Sequence, residues 1–93
     1  MAQLLTDAEI QAQANSLSGW TVTDSKLQTT RIFPDFVTAI AFVNQLVEPA
    51  ESAGHHPDIE ISYNKVQITL TTHDAGGLTQ KDFDLAAIIS QIS

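Results

Sequence analysis

Cysteine is missing from the 93 residues, so disulfide staples and thiol chemistry are both excluded and the redox compartment carries no mark. Positive charge is scarce: 4 Lys and Arg stand against 11 Asp and Glu, for a formal net charge of −7. That balance disfavours a phosphate backbone or an anionic lipid surface, so neither nucleic acid nor membrane is expected as a partner. No run approaches the roughly eighteen apolar residues of a membrane span. Met1 to Glu9 lacks a basic region followed by an apolar stretch, so no secretory signal is expected and the reading is a cytoplasmic domain. Repeats, low-complexity tracts and linkers are also lacking, which makes residues 1–93 a single domain. What is present is an apolar fraction of 43%, ordinary for a globular protein and too high for disorder. A chain this short buries one modest core, and a homo-oligomer would bury more.

Local signals divide the chain into seven elements. Thr6 and Glu9 form a capping box and Leu5 with Ile10 a hydrophobic staple, predicting a helix over Asp7 to Leu17 that Gly19 ends. Trp20–Thr23 and Lys26–Phe33 read as a hairpin around Asp24-Ser25. Asp35 caps a second helix whose apolar stripe is Phe36, Ile40, Val43 and Val47. Pro49 lacks an amide hydrogen and crowds the carbonyl of Gln45, so a kink or pause is expected there before Gly54 ends the helix. Residues 58–63 and 66–71 alternate apolar and polar around Asn64-Lys65, a two-residue hairpin that places Tyr63 in the core. Thr79 and Asp82 then repeat the capping-box grammar, with Leu78 and Phe83 as staple and Leu85, Ile88, Ile89 and Ile92 as apolar face. The order α-β-β-α-β-β-α predicts an α+β fold, a four-stranded antiparallel sheet with three helices packed on one face.

With Asn64-Lys65 as the turn, Ile61 meets Ile68 and Ile59 meets Leu70, while His56 meets His73 on the opposite face, directly opposed β-carbons lying roughly 4.5–5.5 Å apart. His55 precedes this pair, so the 3 histidines of the chain gather at one end of the hairpin. An unperturbed pKa of about 6.5 suits imidazoles to give and take protons near neutrality. Three imidazoles can also hold zinc, but adjacent strand residues diverge and the usual ligand spacing is absent, so no metal is expected. Trp20 reads as a packing residue.

Glu51, three residues, His55-His56-Pro57, five residues, Tyr63, nine residues, His73, eight residues and Asp82 follow one another along the chain. This spacing resembles the signature of the pterin-4a-carbinolamine dehydratases. Tyr63-Asn64-Lys65-Val66, Thr71-Thr72-His73 and Gly77-Leu78-Thr79 look like that family too. The resemblance implies a lyase that converts 4a-hydroxytetrahydropterin to quinonoid dihydropterin plus water without a cofactor of its own. Such an enzyme recycles tetrahydrobiopterin for an aromatic amino acid hydroxylase pathway, as a dimer or tetramer. It further implies His55 and His56 as acid candidates, His73 as complementary acid or base, and Pro57 with Thr72, Asp74 and Ala75 as pterin contacts. Glu51 is implied as a support for a histidine. Asp82 is accounted for by its capping box, with a supporting role in the site as the second reading. The alternative is a non-catalytic binding protein, since family members double as dimerisation partners of a homeodomain transcription factor and resemble Rubisco assembly chaperones.

Overall fold

Thr6 opens the first helix through the reciprocal bonds its spacing from Glu9 predicts. In the computed structural model, which describes residues 3–92, the Glu9 amide donates to Thr6 Oγ1 at 3.2 Å and the Thr6 amide to Glu9 Oε1 at 2.8 Å. Helix α1 spans Asp7–Asn15, ending short of Leu17, whose amide closes a tighter turn on Ala14 O at 3.1 Å. Strands β1 (Trp20–Thr23) and β2 (Lys26–Ile32) follow, joined at Asp24 and Ser25, both with positive φ as a mirror-image hairpin turn requires. Helix α2 (Phe36–Gln45) starts at Asp35, whose carboxylate accepts the Thr38 amide at 2.8 Å. Hydrogen bonding from Thr38, through its side chain and then its amide, holds the Asp35 carboxyl below the usual carboxylate range.

The second helical segment is split. Its ladder stops at Gln45, Leu46 makes a tight bond to Val43 O, and α3 runs Val47–Ala53. Pro49 falls in the first turn of α3, where its missing N–H leaves no bond unmade, so the pause comes at Leu46, upstream of the ring that causes it. Strands β3 (Asp58–Ser62) and β4 (Lys65–Leu70), a 3-10 turn (His73–Ala75) and helix α4 (Gln80–Ser90) complete the order. With α2 and α3 taken as one interrupted segment, the order is α-β-β-α-β-β-α.

All strand pairs are antiparallel and the sheet order is β1-β2-β4-β3, so the two hairpins meet along β2 and β4. Val66, Ile68 and Leu70 of β4 and Leu27 of β2 are fully buried on one face beneath the helices. Helices supply Phe42, Leu46, Phe83, Leu85 and Ile89 to the same core. The opposite face carries Gln28, Thr30, Gln67 and Thr69, with Gln28 Nε2 donating to Thr69 Oγ1 at 3.1 Å. Trp20 is buried and its indole N–H donates to Ser90 Oγ at 2.8 Å, a packing residue as its sequence context suggests.

Two expectations about packing are corrected. The buried face of the second segment is Ala39, Phe42, Leu46 and Ala50, whereas Phe36 and Val47 are 50% and 60% exposed. This helix is apolar on two stripes, and the one that wins puts the Phe42 ring against Phe33, centroids 5.1 Å apart, and under the Arg31 guanidinium at 4.6 Å. The second correction is the hairpin register. Ser62 pairs with Lys65, Ile61 with Val66 and Ile59 with Ile68, so the turn is Tyr63-Asn64 and Tyr63, with φ 54°, is 65% exposed rather than in the core. Asn64 fixes that choice from outside the hairpin: its Nδ2 donates to Phe33 O at 2.8 Å while the Phe33 amide donates to Asn64 O at 2.8 Å. Moving the turn by one residue shifts each pairing by two, which preserves the faces but changes every partner.

If Asn64 sets the register, Asn64→Ala removes a part-buried bond and should cost about 1–2 kcal/mol. Urea denaturation should show a lower midpoint at unchanged slope. A midpoint equal to that of the unmodified protein would mean the turn is held by strand pairing alone.

Candidate active site

The site is assembled where α3 ends, β4 ends and α4 begins. Gly54 closes α3 in the left-handed region at φ 60°, a conformation that costs glycine nothing and turns the chain sharply into His55 and His56. The His55 amide still reaches back to Ala50 O at 3.1 Å, so the pair is tied to the helix it follows. On the other side, Thr72 anchors the loop after β4: its carbonyl accepts the amides of Ala75, Gly76 and Gly77 at 3.1, 3.0 and 3.3 Å.

The side chains of these segments line an open cleft of about 280 Å³. His55, His56 and His73 all border it, with Thr71, Thr72, Asp74 and Lys81. The corrected register ends β3 at Asp58 and β4 at Leu70, so His56 and His73 are not a cross-strand pair. They meet because two loops converge, and His73 opens the 3-10 turn instead of extending the strand. Among the described residues no group of three histidine, aspartate or glutamate side chains is placed to hold a metal ion.

Two of the imidazoles are held by carboxylates. His55 Nε2 lies 2.5 Å from Asp82 Oδ1, and His56 Nε2 lies 2.5 Å from Glu51 Oε2. An ionised carboxylate only accepts, so each neutral ring carries its proton on Nε2 and leaves Nδ1 as the free nitrogen. The pairs differ in surroundings: side chains in the first are 10% and 0% exposed, in the second 64% and 68%. Asp82 is the more heavily used. Its Oδ2 also accepts the Thr72 hydroxyl at 2.8 Å and the Thr79 amide at 2.9 Å, and Thr72 and Thr79 hydroxyls lie 2.8 Å apart. A buried carboxylate is tolerable only when so fully paired.

The residues singled out from sequence divide accordingly. Glu51, His55, His56, His73, Asp74 and Asp82 sit at or directly behind the cleft. Thr72 borders it but points its hydroxyl inward to Asp82. Ala75 closes the 3-10 turn and does not line the cleft. Pro57 borders a separate apolar hollow of about 240 Å³, with Val43, Leu46, Glu51 and Ile59, and His56 borders both the hollow and the cleft. Asp82 serves as both helix cap and histidine support, through different oxygens, so its two readings are compatible. Lys81 was missed by sequence reasoning, although its place beside Asp82 in the first turn of α4 was a usable signal.

Comparison with known proteins finds similarity over nearly the whole chain. Residues 3–92 match the family model described as pterin 4 alpha carbinolamine dehydratase. A protein of Trichormus variabilis is 82% identical over 93 residues, covering 100% of both chains, and carries the provisional name pterin-4-alpha-carbinolamine dehydratase. One from Nostoc punctiforme with the same provisional name is 76% identical over 92 residues, covering 99% of each. A crystal structure described as a transcriptional coactivator/pterin dehydratase from Brucella melitensis superposes with a TM-score of 0.88 at 34% identity, over 92% of this chain and 94% of that one. A pterin dehydratase-like protein identified as a RuBisCO assembly factor in the alpha-carboxysome shares the fold, with a TM-score of 0.60 at 24% identity over 75% of this chain and 81% of its own.

Equal distances should hide unequal energies. Asp82→Ala strands three donors in the interior and should lower stability by about 3–5 kcal/mol. Glu51→Ala breaks a solvent-exposed pair and should change stability by about 0–1 kcal/mol. Denaturant titration compares the two, and nitrogen NMR of the neutral rings should find both His55 and His56 protonated at Nε2. Similar losses from the two variants would mean that burial does not govern these pairs.

Proposed function

The chain belongs to the pterin 4 alpha carbinolamine dehydratase family, and from that premise we propose that it removes water from a 4a-hydroxytetrahydropterin to give the quinonoid dihydropterin. The observation that carries the reading is one small cleft bordered by three imidazoles, two of them paired through Nε2 with carboxylates and one of those two buried. The reaction asks for little more. One imidazolium protonates the C4a hydroxyl, the N5 lone pair forms C4a=N5 as the C–O bond breaks and water leaves, and a neutral imidazole accepts the N5 proton. His55 and His56 each have Nδ1 free for this exchange, and His73, whose imidazole has no hydrogen-bond partner among the described residues, supplies the third proton-carrying group. Residues 71–74 offer the ring a wall.

On this reading the protein acts in tetrahydrobiopterin recycling, downstream of an aromatic amino acid hydroxylase, as a cytoplasmic homo-oligomer. Exposed Phe36, Val37 and Val47 on the second helical segment support self-association, because they leave apolar surface unburied in a short chain. Among the described residues no helix is long and apolar enough to cross a membrane.

The direct test is the rate of 4a-hydroxyl loss from freshly generated hydroxypterin. Activity should survive a chelator, and His55→Ala and His56→Ala should each lower it by roughly 10²–10⁴-fold. Loss on chelation with rescue by zinc would overturn histidine acid–base catalysis. Unchanged turnover in both variants would favour a non-catalytic binding or assembly role on this scaffold. Light scattering at micromolar concentration should find a dimer or tetramer, and a monomer throughout that range would count against self-association.

A further inference from the structure

The start of α4 obeys its local rules except at one position. Thr79 and Asp82 bond reciprocally around the first turn, and Asp82 is the acid a helix N-terminus favours. Lys81 puts an ammonium in the same turn, at the positive end of the helix dipole, where a cation is unfavourable. Among the described residues its side chain has no ion-pair or hydrogen-bond partner to offset this. A local rule broken without local compensation is the mark of a functional position. Among the described residues Lys81 is also the one lysine or arginine that lines the histidine cleft, and Arg31 is committed to the carbonyls of Ile89 and Ile92. Lys26 and Lys65 stand at the starts of β2 and β4, outside the cleft lining.

Resting on the dehydratase reading, we propose that Lys81 holds the 4-oxo oxygen of the pterin ring and so selects 4-oxo over 4-amino pteridines. The reacting hydroxyl sits on C4a, which is bonded directly to C4, so the ring's carbonyl oxygen lies beside the reacting centre. Imidazoles that serve the C4a hydroxyl and an ammonium in the same small cleft therefore reach neighbouring ring atoms. The ammonium has three donors and no acceptor, so it matches the carbonyl oxygen. It cannot satisfy the N3–H and 2-amino groups further round the ring, which donate. Lys81 and Asp82 are consecutive, and Asp82 holds His55 at 2.5 Å, so one turn of helix fixes the ring's carbonyl relative to one proton-carrying group. The bond is present before and during water loss, so it acts on binding more than on the chemical step.

Titration calorimetry with two stable ligands, pterin and 2,4-diaminopteridine, tests the assignment. The unmodified protein should bind pterin roughly ten- to hundredfold more tightly, the size of one charged hydrogen bond. Lys81→Met should erase that preference and Lys81→Arg should retain most of it. In turnover, Lys81→Met should raise KM about tenfold with kcat changed far less. Its melting temperature should hold or rise, since a cation has left the positive end of a helix, so weak binding cannot be put down to misfolding. A preference that survives in Lys81→Met, or equal affinity for both ligands in the unmodified protein, would overturn the role of Lys81 alone. So would a Lys81→Met defect confined to pterins with a phosphorylated side chain, which would place the ammonium on the tail. Failure to bind either ligand would overturn the dehydratase reading together with it.

Discussion

Asp82 is a carboxylate with no exposure to solvent, and it survives there only because three donors meet it. The three come from separate parts of the chain: the start of α4, the loop that follows β4, and the turn that follows α3. Satisfying this one charge therefore brings the histidine pair, the 72–75 loop and the helix start to a single point. The site's geometry follows from the folding requirement that a buried acid be paired. A hydrophobic residue of similar size would relieve that requirement and remove the reason for these segments to converge.

Helix α4 that carries the carboxylate is held at its other end by an unrelated device. Arg31, on the covered face of β2, donates to Ile92 O at 2.6 Å and Ile89 O at 3.1 Å, meeting the carbonyls that a helix C-terminus leaves unpaired. Its guanidinium lies over Phe42, which joins α2 to the same arrangement. Sheet, second helix and last helix thus share one cation at one end and one anion at the other. Between them lie Phe83, Leu85, Ala86 and Ile89, all buried. The helix is a rigid beam on which the site's positions are spaced.

What was legible in the sequence was what short-range chemistry decides. Thr6 with Glu9 and Asp35 ahead of Thr38 announce helix starts because cap and capped amide are three residues apart. The alternation around residue 64 announces a hairpin, and the family signature announces the histidines. Illegible features depended on distant partners. The turn fell on Tyr63-Asn64 because of Phe33, thirty-one residues away, which no count within the hairpin includes. Phe42 rather than Phe36 faces inward because Arg31 and Phe33 receive it, and periodicity alone left two apolar stripes to choose between. Capping accounts for Asp82 within its own turn, and its role beside a histidine depends on Oδ1 meeting His55, twenty-seven residues away. Lys81 went unnoticed because a lone lysine on a helix is ordinary until its turn and its neighbours are known.

The unequal burial of the two carboxylate–histidine pairs also separates them in time. Exposed side chains such as His56 and Glu51 change rotamer within picoseconds to nanoseconds. The ring of His55, packed against a fully buried Asp82, has far less room to turn and moves on a slower scale. A ligand entering the cleft meets one imidazole already at rest and another that re-aims many times during a single encounter. One histidine is a fixed reference and its neighbour an adjusting arm.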